Sequence, residues 1–249
     1  MTGTDARLAA SVAEQAGRLL LEVRAAGLEG KELGRQGDLR SNELILGRLA
    51  DERPGDAVLS EESADSPARL DAERVWIVDP LDGTREYAMA GRADWAVHVA
   101  LWEAGRGLTA AAVAQPAIGR VFASDRPLHP APTGRDRPVV LVSDSRPPAF
   151  AGPVAEQVGA TVAPMGSAGA KAMAVLRGEA DAYLHAGGQW EWDSAAPVGV
   201  LLASGFHASR LDGSPLAYNR PHPYLPDLVI CRPELAGPLL EALSRLASP

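Results

Sequence analysis

The sequence has a single cysteine, Cys231, and no apolar run approaching the roughly 18 residues of a membrane-spanning helix. One cysteine excludes an internal disulfide and a zinc site built from cysteines. The 24 basic side chains are outnumbered by 32 acidic ones, and the formal charge of −8 argues against a basic face for a nucleic-acid polymer. The first residues carry Asp5 and Arg7 and are not followed by the apolar core of a signal peptide. We therefore expect a cytoplasmic protein with neither membrane nor nucleic-acid partners.

Several catalytic patterns are also missing. The chain has no Gly-x-x-x-x-Gly-Lys phosphate loop, no histidine spacing typical of a metal site and no evident Ser-His-Asp order. Internal repeats and low-complexity tracts are absent as well. What is present is 249 residues with 46% hydrophobic and 22% charged side chains, which is typical of one large globular domain or two closely joined smaller ones.

The hydrophobic pattern predicts two helices and then two short strands. One helix spans about 8–23 and ends at Gly27, and a second begins near Ser41 or Asn42 and ends at Pro54. The apolar runs 57–59 and 75–78 each stop abruptly at acidic residues, as buried strands that deliver functional groups do. Three further strands are predicted in sequence, over 95–102, 110–114 and 120–124.

The proline-rich segment 125–138 predicts a linker or a long surface loop. After it, strands and helices alternate, with helices predicted over 149–158, 171–176, 194–202 and 234–246, and strands over 139–142, 180–184, 206–209 and 228–231. The fold class is therefore α/β with an α+β first half. We predict an N-terminal α+β subdomain, 1–135, and a C-terminal α/β subdomain, 136–249.

The strongest chemical signal is the run Asp79-Pro80-Leu81-Asp82-Gly83-Thr84, directly after an apolar strand. Two carboxylates at a strand end are costly to bury without a cation, and hard oxygen ligands suit magnesium. Gly83 permits close approach of a ligand to the backbone, and the helix predicted to start after it offers free N–H groups to a phosphate. The alternative interpretation is a turn in which an aspartate caps a helix.

Two further acidic positions carry weaker signals. Glu61 and Glu62 follow the other apolar strand and, taken alone, are typical of a solvated turn. Paired with Asp79 and Asp82, they predict a two-metal site of the kind that clamps both oxygens in phosphoryl transfer. Asp193 precedes a helix of small residues, where the ordinary role of an aspartate is the N-cap.

Other groups suit an organic phosphate. Trp190, beside Trp192, fits either a core residue or a wall on which a base stacks. The turn that contains Ser167 enters a helix carrying Lys171, an arrangement that can hold an anion. His98, in a predicted strand, is interpreted as structural.

Together these motifs resemble the lithium-sensitive, magnesium-dependent phosphatase superfamily that includes inositol monophosphatase. The resemblance covers nearly the whole chain and rests on three motifs in the same order, at 59–62, 76–84 and 192–196. The continuation Arg85-Glu86-Tyr87 is similar to the CysQ branch of actinobacteria, the 3′-phosphoadenosine 5′-phosphate phosphatases. The resemblance implies a layered αβαβα sandwich of the inositol monophosphatase and fructose-1,6-bisphosphatase type.

The resemblance also implies a role for each matching residue. The implied metal ligands, for two or three Mg²⁺ ions, are Glu61, Asp79, Leu81 through its carbonyl, Asp82 and Asp193. The implied catalytic residues are Glu61, Thr84 and Asp82, of which Glu61 and Thr84 orient the attacking water. The implied substrate contacts are Gly83, Thr84, Ser167, Lys171, His185 and Trp190. Asn42 stands where the family has an aspartate associated with a third metal, and Asp38 is a nearby candidate to supply that charge.

The implied reaction removes the 3′-phosphate of 3′-phosphoadenosine 5′-phosphate to give AMP and inorganic phosphate, in support of sulfate assimilation. Ala186 stands where inositol monophosphatases place a sugar-binding glutamate, and His185 where bisphosphate nucleotidases often carry an arginine. The alternatives are inositol-1-phosphate or fructose-1,6-bisphosphate as the main substrate and, from another class, a catalytically silent nucleotide or metal sensor. The expected partner is a small phosphate monoester, and relatives suggest a homodimer.

Overall fold

A computed structural model describes residues 2–247. The described residues form seven α-helices: α1 (Thr2–Ala25), α2 (Gly30–Glu52), α3 (Thr84–Tyr87), α4 (Ala151–Gln157), α5 (Ala168–Leu176), α6 (Glu191–Ala203) and α7 (Pro233–Ala247). They also form ten strands: β1 (Ala57–Ser60), β2 (Arg74–Asp82), β3 (Ala96–Glu103), β4 (Gly107–Gln115), β5 (Arg120–Ala123), β6 (Val139–Ser143), β7 (Thr161–Met165), β8 (Ala182–Trp190), β9 (His207–Ser209) and β10 (Tyr224–Cys231). Short 3₁₀ helices lie at Pro67–Asp71 and Pro116–Ile118.

The strands form two five-stranded mixed sheets. The first has the order β1-β2-β3-β4-β5, and only its β1–β2 pair is parallel. The second has the order β7-β6-β8-β10-β9, in which β6 runs parallel to both of its neighbours. Because β1 and β2 are parallel, their carboxyl ends meet at one edge of the first sheet, where the predicted acidic motifs lie.

The elements stack in five layers, and the predicted αβαβα sandwich is confirmed. Helices α1 and α2 cover the outer face of the first sheet, where Leu20, Ile45 and Trp76 are fully buried. Helices α5 and α6 fill the space between the sheets, and α4 and α7 cover the far side of the second sheet. Each fully buried large aliphatic side chain contributes about 1.5–3 kcal/mol, so three apolar clusters hold the layers together.

Helix α2 corrects the sequence-based prediction, because it begins at Gly30 rather than near Ser41. Its early turns bury one large apolar side chain, Leu33, together with Gly34 and Gly37, so they give no hydrophobic periodicity. A methyl group at Gly34 would come within 2.7 Å of the Thr84 side chain, and one at Gly37 within 2.8 Å of Leu81. These glycines let α2 pack directly against the acidic turn.

In the second half, the prediction missed strand β7 and placed one boundary too late. Strand β7 is a largely exposed edge strand that contains Pro164, so it lacks the signature of a buried strand. Strand β8 continues to Trp190, and α6 begins at Glu191 rather than at Ser194. The predicted loop is confirmed, since residues 124–138 contain no helix or strand. The division into subdomains 1–135 and 136–249 stays a prediction.

Across residues 2–247, no helix combines the length and the apolar character needed to cross a membrane.

Candidate active site

Strand pairing brings the first two acidic motifs together. In the parallel register, Ser60 of β1 lies opposite Val78 of β2, and the amide of the next residue, Glu61, donates to the Val78 carbonyl at 3.3 Å. Glu61 therefore leaves the sheet beside Asp79, and their carboxyl groups share a hydrogen bond. Two motifs that lie far apart in the sequence thus deliver carboxylates to the same point.

The backbone of β2 is irregular where it carries two carboxylates. Its pairing with β3 shifts between Asp79 and Asp82. Pro80 supplies no amide donor, and its carbonyl accepts a hydrogen bond from the Ser41 hydroxyl of α2 at 2.7 Å. The Leu81 amide donates to Asp79 Oδ1 at 3.1 Å. This shift lets both buried aspartates reach the same cluster.

Asp193 joins them from the other half of the chain. It is the third residue of α6, so the interpretation of Asp193 as an N-cap is wrong: Trp190 occupies that position, and Asp193 Oδ2 accepts from the Trp190 amide at 2.6 Å. One carboxylate oxygen from each of Asp79, Asp82 and Asp193 lies within 4.8 Å of the others.

The carboxyl groups of this cluster differ in acidity. Burial, followed by repulsion from Glu61 and Asp82, raises the pKa of Asp79 well above its usual range. Burial is also the first cause that raises the pKa of Glu61 and of Asp193, each to about 7. Burial opposes ionisation of Asp82 too, but the nearby His98 imidazole and hydrogen bonds from Ser167 and Gly169 outweigh it and lower the pKa of Asp82 to about 2.

Asp82 is held by the start of helix α5. Its Oδ2 accepts from the Ser167 hydroxyl at 2.5 Å and from the Gly169 amide at 2.6 Å, and its Oδ1 accepts from the Ala168 amide at 3.1 Å. A helix N-terminus favours a negative charge, so α5 stabilises the ionised carboxylate. These hydrogen bonds fix Asp82, at the end of β2 in the first sheet, to helix α5 of the inner helix layer.

His98 is a supporting residue that the sequence analysis did not connect to the site. It lies opposite Asp79 in the β2–β3 register and is fully buried. Its Nε2 lies 3.3 Å from Asp82 Oδ2, and its Nδ1 lies 3.1 Å from the Trp192 carbonyl. The sequence contains no local signal for this contact, which arises only from the pairing of β3 with β2.

The donor set fits a hard divalent cation. Three carboxylates converge with Glu61 beside them, and carboxylate and carbonyl oxygens are the ligands that magnesium prefers. The Leu81 carbonyl faces the same turn and accepts from Thr84 Oγ1 at 3.1 Å. The like charges of the cluster also require a cation for full ionisation, which is the balance that a bound metal provides.

Asn42 and Asp38 take different positions near Thr84. Asn42 is buried between two serines, accepting from the Ser60 hydroxyl and donating to Ser63. Asp38 Oδ1 instead accepts from Thr84 Oγ1 at 3.1 Å. Burial, and then repulsion from Glu62, raises the pKa of Asp38 to about 7. An acidic group therefore contacts Thr84 although position 42 is neutral.

A polar cavity of about 260 Å³ opens beside the acidic cluster and is lined by Asp82 and Asp193 among others. Five of the predicted substrate contacts lie in its wall: Gly83, Thr84, Ser167, Lys171 and His185. Gly83 adopts φ +83°, and a methyl group there would come within 3.0 Å of the Ser167 side chain. The glycine thus leaves room where the two halves of the chain meet.

Trp190 lies outside the cavity wall but adjoins it. Its ring is 37% exposed and stacks on Trp192 with centroids 5.4 Å apart. The edge of Tyr224 packs against Trp190, and the Tyr224 hydroxyl accepts from the amide of Gly188, which lines the cavity. The aromatic surface is therefore continuous with the cavity through Gly188.

The second half also supplies polar groups that were not predicted. Arg146 and Gln189 line the cavity, and within residues 2–247 neither the Arg146 guanidinium nor Gln189 Oε1 has a hydrogen-bond partner. Both ring nitrogens of buried His185 likewise lack a hydrogen bond of ordinary geometry. Burial, then Lys171 and Arg146, lowers the pKa of His185 to about 4, so the imidazole is neutral. The polar run directly after β6 was the only sequence signal for Arg146.

Lys171 is a buried cation near the centre of this wall. Its Nζ donates to the Ser167 carbonyl at 2.6 Å and lies 4.9 Å from the centre of the Tyr183 ring. Burial lowers the pKa of Lys171, while the charge of Asp82 opposes that effect. The cation therefore lies within the field of the acidic cluster.

Comparison with known proteins agrees with this arrangement. Residues 4–246 match the sequence profile described as the inositol monophosphatase family. A Mycobacterium leprae protein named 3′-phosphoadenosine 5′-phosphate phosphatase is 55% identical over 250 residues, covering 95% of this chain and 92% of its own. The Escherichia coli 3′(2′),5′-bisphosphate nucleotidase CysQ is 29% identical over 193 residues, covering 73% and 77%.

Among solved structures, an inositol monophosphatase from Anabaena superimposes with a TM-score of 0.79 at 21% identity, over 98% of this chain and 96% of its own. That likeness concerns the fold. The resemblance predicted from the three motifs is confirmed by the sequence matches.

Proposed function

Since the chain belongs to the inositol monophosphatase family and is a metal-dependent phosphatase, we propose that it hydrolyses the 3′-phosphate of 3′-phosphoadenosine 5′-phosphate with Mg²⁺ as the cation. The observation that carries the proposal is the cluster of Asp79, Asp82 and Asp193 beside a cavity whose far wall bears cations. The products are AMP and inorganic phosphate.

We assign the cation ligands to Glu61, Asp79, Asp82, Asp193 and the Leu81 carbonyl, for two or three ions. When bound, magnesium neutralises charge on the ester phosphate and makes an attacking water more acidic. The protein holds the carboxylates in place beforehand: Asp79 through the Leu81 amide, Asp82 through α5 and Asp193 through the Trp190 amide. Little rearrangement is then needed when substrate binds.

Thr84 and Glu61 position the attacking water in this proposal. The Thr84 hydroxyl has a single proton, which points between two acceptors, Asp38 Oδ1 and the Leu81 carbonyl, each 3.1 Å from Oγ1. Its oxygen lone pairs remain available to a water, and Glu61 offers a second acceptor from the adjoining strand. The amides of Gly83 and Thr84, at the start of α3, hold the phosphate oxygens.

The second half of the cavity wall supports the choice of a bisphosphorylated nucleotide. The Arg146 guanidinium has no hydrogen-bond partner within residues 2–247, and Lys171 lines the same cavity. We assign the 5′-phosphate to Arg146, supported by Lys171 and His185, because guanidinium binds phosphate through two parallel hydrogen bonds. Arg146 thus replaces the arginine that related nucleotidases carry at position 185. The base is assigned to the surface of Gly188 and Trp190.

Phosphate release provides the test. We expect kcat/KM for 3′-phosphoadenosine 5′-phosphate to exceed that for inositol-1-phosphate and fructose-1,6-bisphosphate, and all turnover to require Mg²⁺. A sugar phosphate hydrolysed faster than the nucleotide would keep the metal site and reject the nucleotide. If no phosphate ester is hydrolysed, the sensor hypothesis becomes the one to pursue.

A further inference from the structure

Arg69 is a charged residue buried far from any motif that the function uses. Its side chain is 1% exposed and makes a bidentate contact with Asp65, at 2.7 and 3.0 Å. Two further donations reach residues about 150 positions away in the sequence: Nη1 donates to Asn219 Oδ1 at 2.6 Å, and Nη2 to the Arg220 carbonyl at 2.9 Å. The segment after Glu61 is thereby tied to the loop before β10.

That loop is in turn tied to the start of α6. The amides of Asn219 and Arg220 donate to the two carboxylate oxygens of Glu191 at 2.7 and 2.9 Å. Glu191 is 1% exposed, and Asn219 adopts a left-handed backbone with φ +58°. Asn219 also donates its side-chain amide to the Arg69 carbonyl at 3.2 Å. The geometry of this turn is therefore fixed from both sides.

The two ends of this chain of contacts lie close in sequence to two parts of the proposed metal site. Glu61 opens the irregular segment that leads to the 3₁₀ helix carrying Arg69. Glu191 lies two positions before Asp193, on the first turn of α6. Glu61 belongs to the edge of the first sheet and Asp193 to the inner helix layer, so their separation depends on how these two segments are joined.

We propose that Arg69, Asn219 and Glu191 form a positioning bridge that sets the separation of the Glu61 and Asp193 carboxylates and thereby the affinity for the divalent cation. The inference rests on the metal site assigned under the proposed function. Carboxylates that repel one another separate unless their supports hold them, and the loss of such supports weakens metal binding.

The free-energy cost of burying the charged groups of the bridge supports a role beyond holding the fold together. Burying an arginine and a glutamate incurs a desolvation penalty that well-packed apolar side chains avoid. Here Arg69 donates to the Arg220 carbonyl, and Glu191 accepts from the Asn219 and Arg220 amides, so both buried charges are tied to the backbone of the same loop. A network of this kind specifies one arrangement of the loops that carry Glu61 and Asp193.

Mg²⁺ binding to the free protein, measured by isothermal titration calorimetry, tests the bridge without any substrate. The variants are Arg69→Lys, which keeps the charge and loses the planar fork, and Asn219→Gly, which removes the amide while permitting the left-handed backbone. The matched control is Arg74→Lys. Arg74 also joins three acidic residues, but at the opposite end of β2 from Asp82.

We expect Arg69→Lys and Asn219→Gly each to raise the Mg²⁺ dissociation constant by about tenfold, the lower end of the effect of removing supports of metal ligands. Arg74→Lys should lower the melting temperature and leave that constant unchanged. Wild-type affinity in both test variants, or an equal loss in the control, overturns the bridge. If the wild type binds Mg²⁺ and the two test variants bind it equally well, the bridge is rejected and the metal site is kept. If the wild type binds no Mg²⁺, the metal assignment is rejected together with the bridge. A different preferred substrate would affect neither measurement.

Discussion

The two ends of the cavity are built on opposite principles. At the metal end, each aspartate already accepts a hydrogen bond: Asp79 from the Leu81 amide, Asp82 from α5 and Asp193 from the Trp190 amide. At the other end, the Arg146 guanidinium and the ring nitrogens of His185 have no partner in the described part of the chain. One end is preorganised, and the other presents free groups to a ligand.

This difference separates the chemistry from the choice of substrate. Carboxylates held by backbone groups can act on any phosphate monoester, because they engage only the group common to all of them. Unpartnered donors and acceptors discriminate, because a ligand that lacks the matching group leaves buried His185 and Gln189 unsatisfied and gains nothing from the exposed Arg146. Changes at the metal end should therefore affect every substrate, and changes at the other end should depend on the substrate.

The largest expected effect is at the metal end. Asp82→Asn removes a charge from the cation site and presents an amide to donors on α5, so kcat should fall on the order of a thousandfold with every phosphate ester. Steady-state phosphate release checks this, with Asp51→Asn, an exposed position on α2, as the control. A loss confined to one substrate would contradict the separation of the two ends.

The next effect tests how tightly the metal end is packed. A methyl group at Gly169 would lie 2.1 Å from His98 Nε2, so Gly169→Ala must displace the imidazole that supports Asp82. We expect overpacking to cost about 1–3 kcal/mol of unfolding free energy and activity to fall with all substrates alike.

Gly47→Ala is the matched control for this change, because a methyl group there meets no atom within 4 Å. Thermal denaturation should show Gly47→Ala at or above wild-type stability, as expected for alanine in a helix. Equal stability of the two variants would mean that His98 moves aside without cost.

Most residues of the metal end could be predicted from the sequence, and the reason is physical. Its carboxylates follow directly on short buried strands, so Asp79 and Asp82 combine a strand signal with a chemical one in adjacent positions. The exception is His98, whose contact with Asp82 arises from antiparallel pairing. No local pattern in β3 marks that neighbour.

Fewer residues of the substrate-selecting end could be predicted from the sequence, because they come from separate helices, strands and loops. Arg146 follows β6, and Gln189 lies in the part of β8 that the sequence analysis assigned to no strand. The start of α2 was missed for a related reason: glycines, not apolar side chains, form its contact with the site. The role of small or unpaired residues can be recognised only when the fold shows which of them lie together.

Arg146→Gln tests the substrate-selecting end. A charged hydrogen bond to phosphate contributes about 1.5–3 kcal/mol, so kcat/KM for 3′-phosphoadenosine 5′-phosphate should fall by about tenfold to a hundredfold. Hydrolysis of inositol-1-phosphate, which has no second phosphate, should be unchanged.

The control for this change is Arg106→Gln, because Arg106 is an exposed arginine paired with Glu103. In the Arg146→Gln background, His185→Arg should restore part of the loss. An equal loss on both substrates would place Arg146 in the general machinery instead.

The smallest expected effect concerns the acidic cluster of the metal-free protein. Glu61 and Asp193 have ordinary pKa values of 4.5 and 3.8, which the folded site raises to about 7. Between these values the folded state binds more protons than the unfolded state, so stability must fall as the pH rises from about 4 to about 7. We expect the melting temperature in EDTA to fall on the order of a few degrees across this window, because both groups are partly solvated.

Saturating Mg²⁺ should remove the trend, since the cation takes the place of the protons. Asp193→Asn, which deletes one titrating group, should flatten the trend in EDTA. An unchanged slope in that variant would mean that burial and neighbouring charges do not raise the pKa of Asp193 in the folded site.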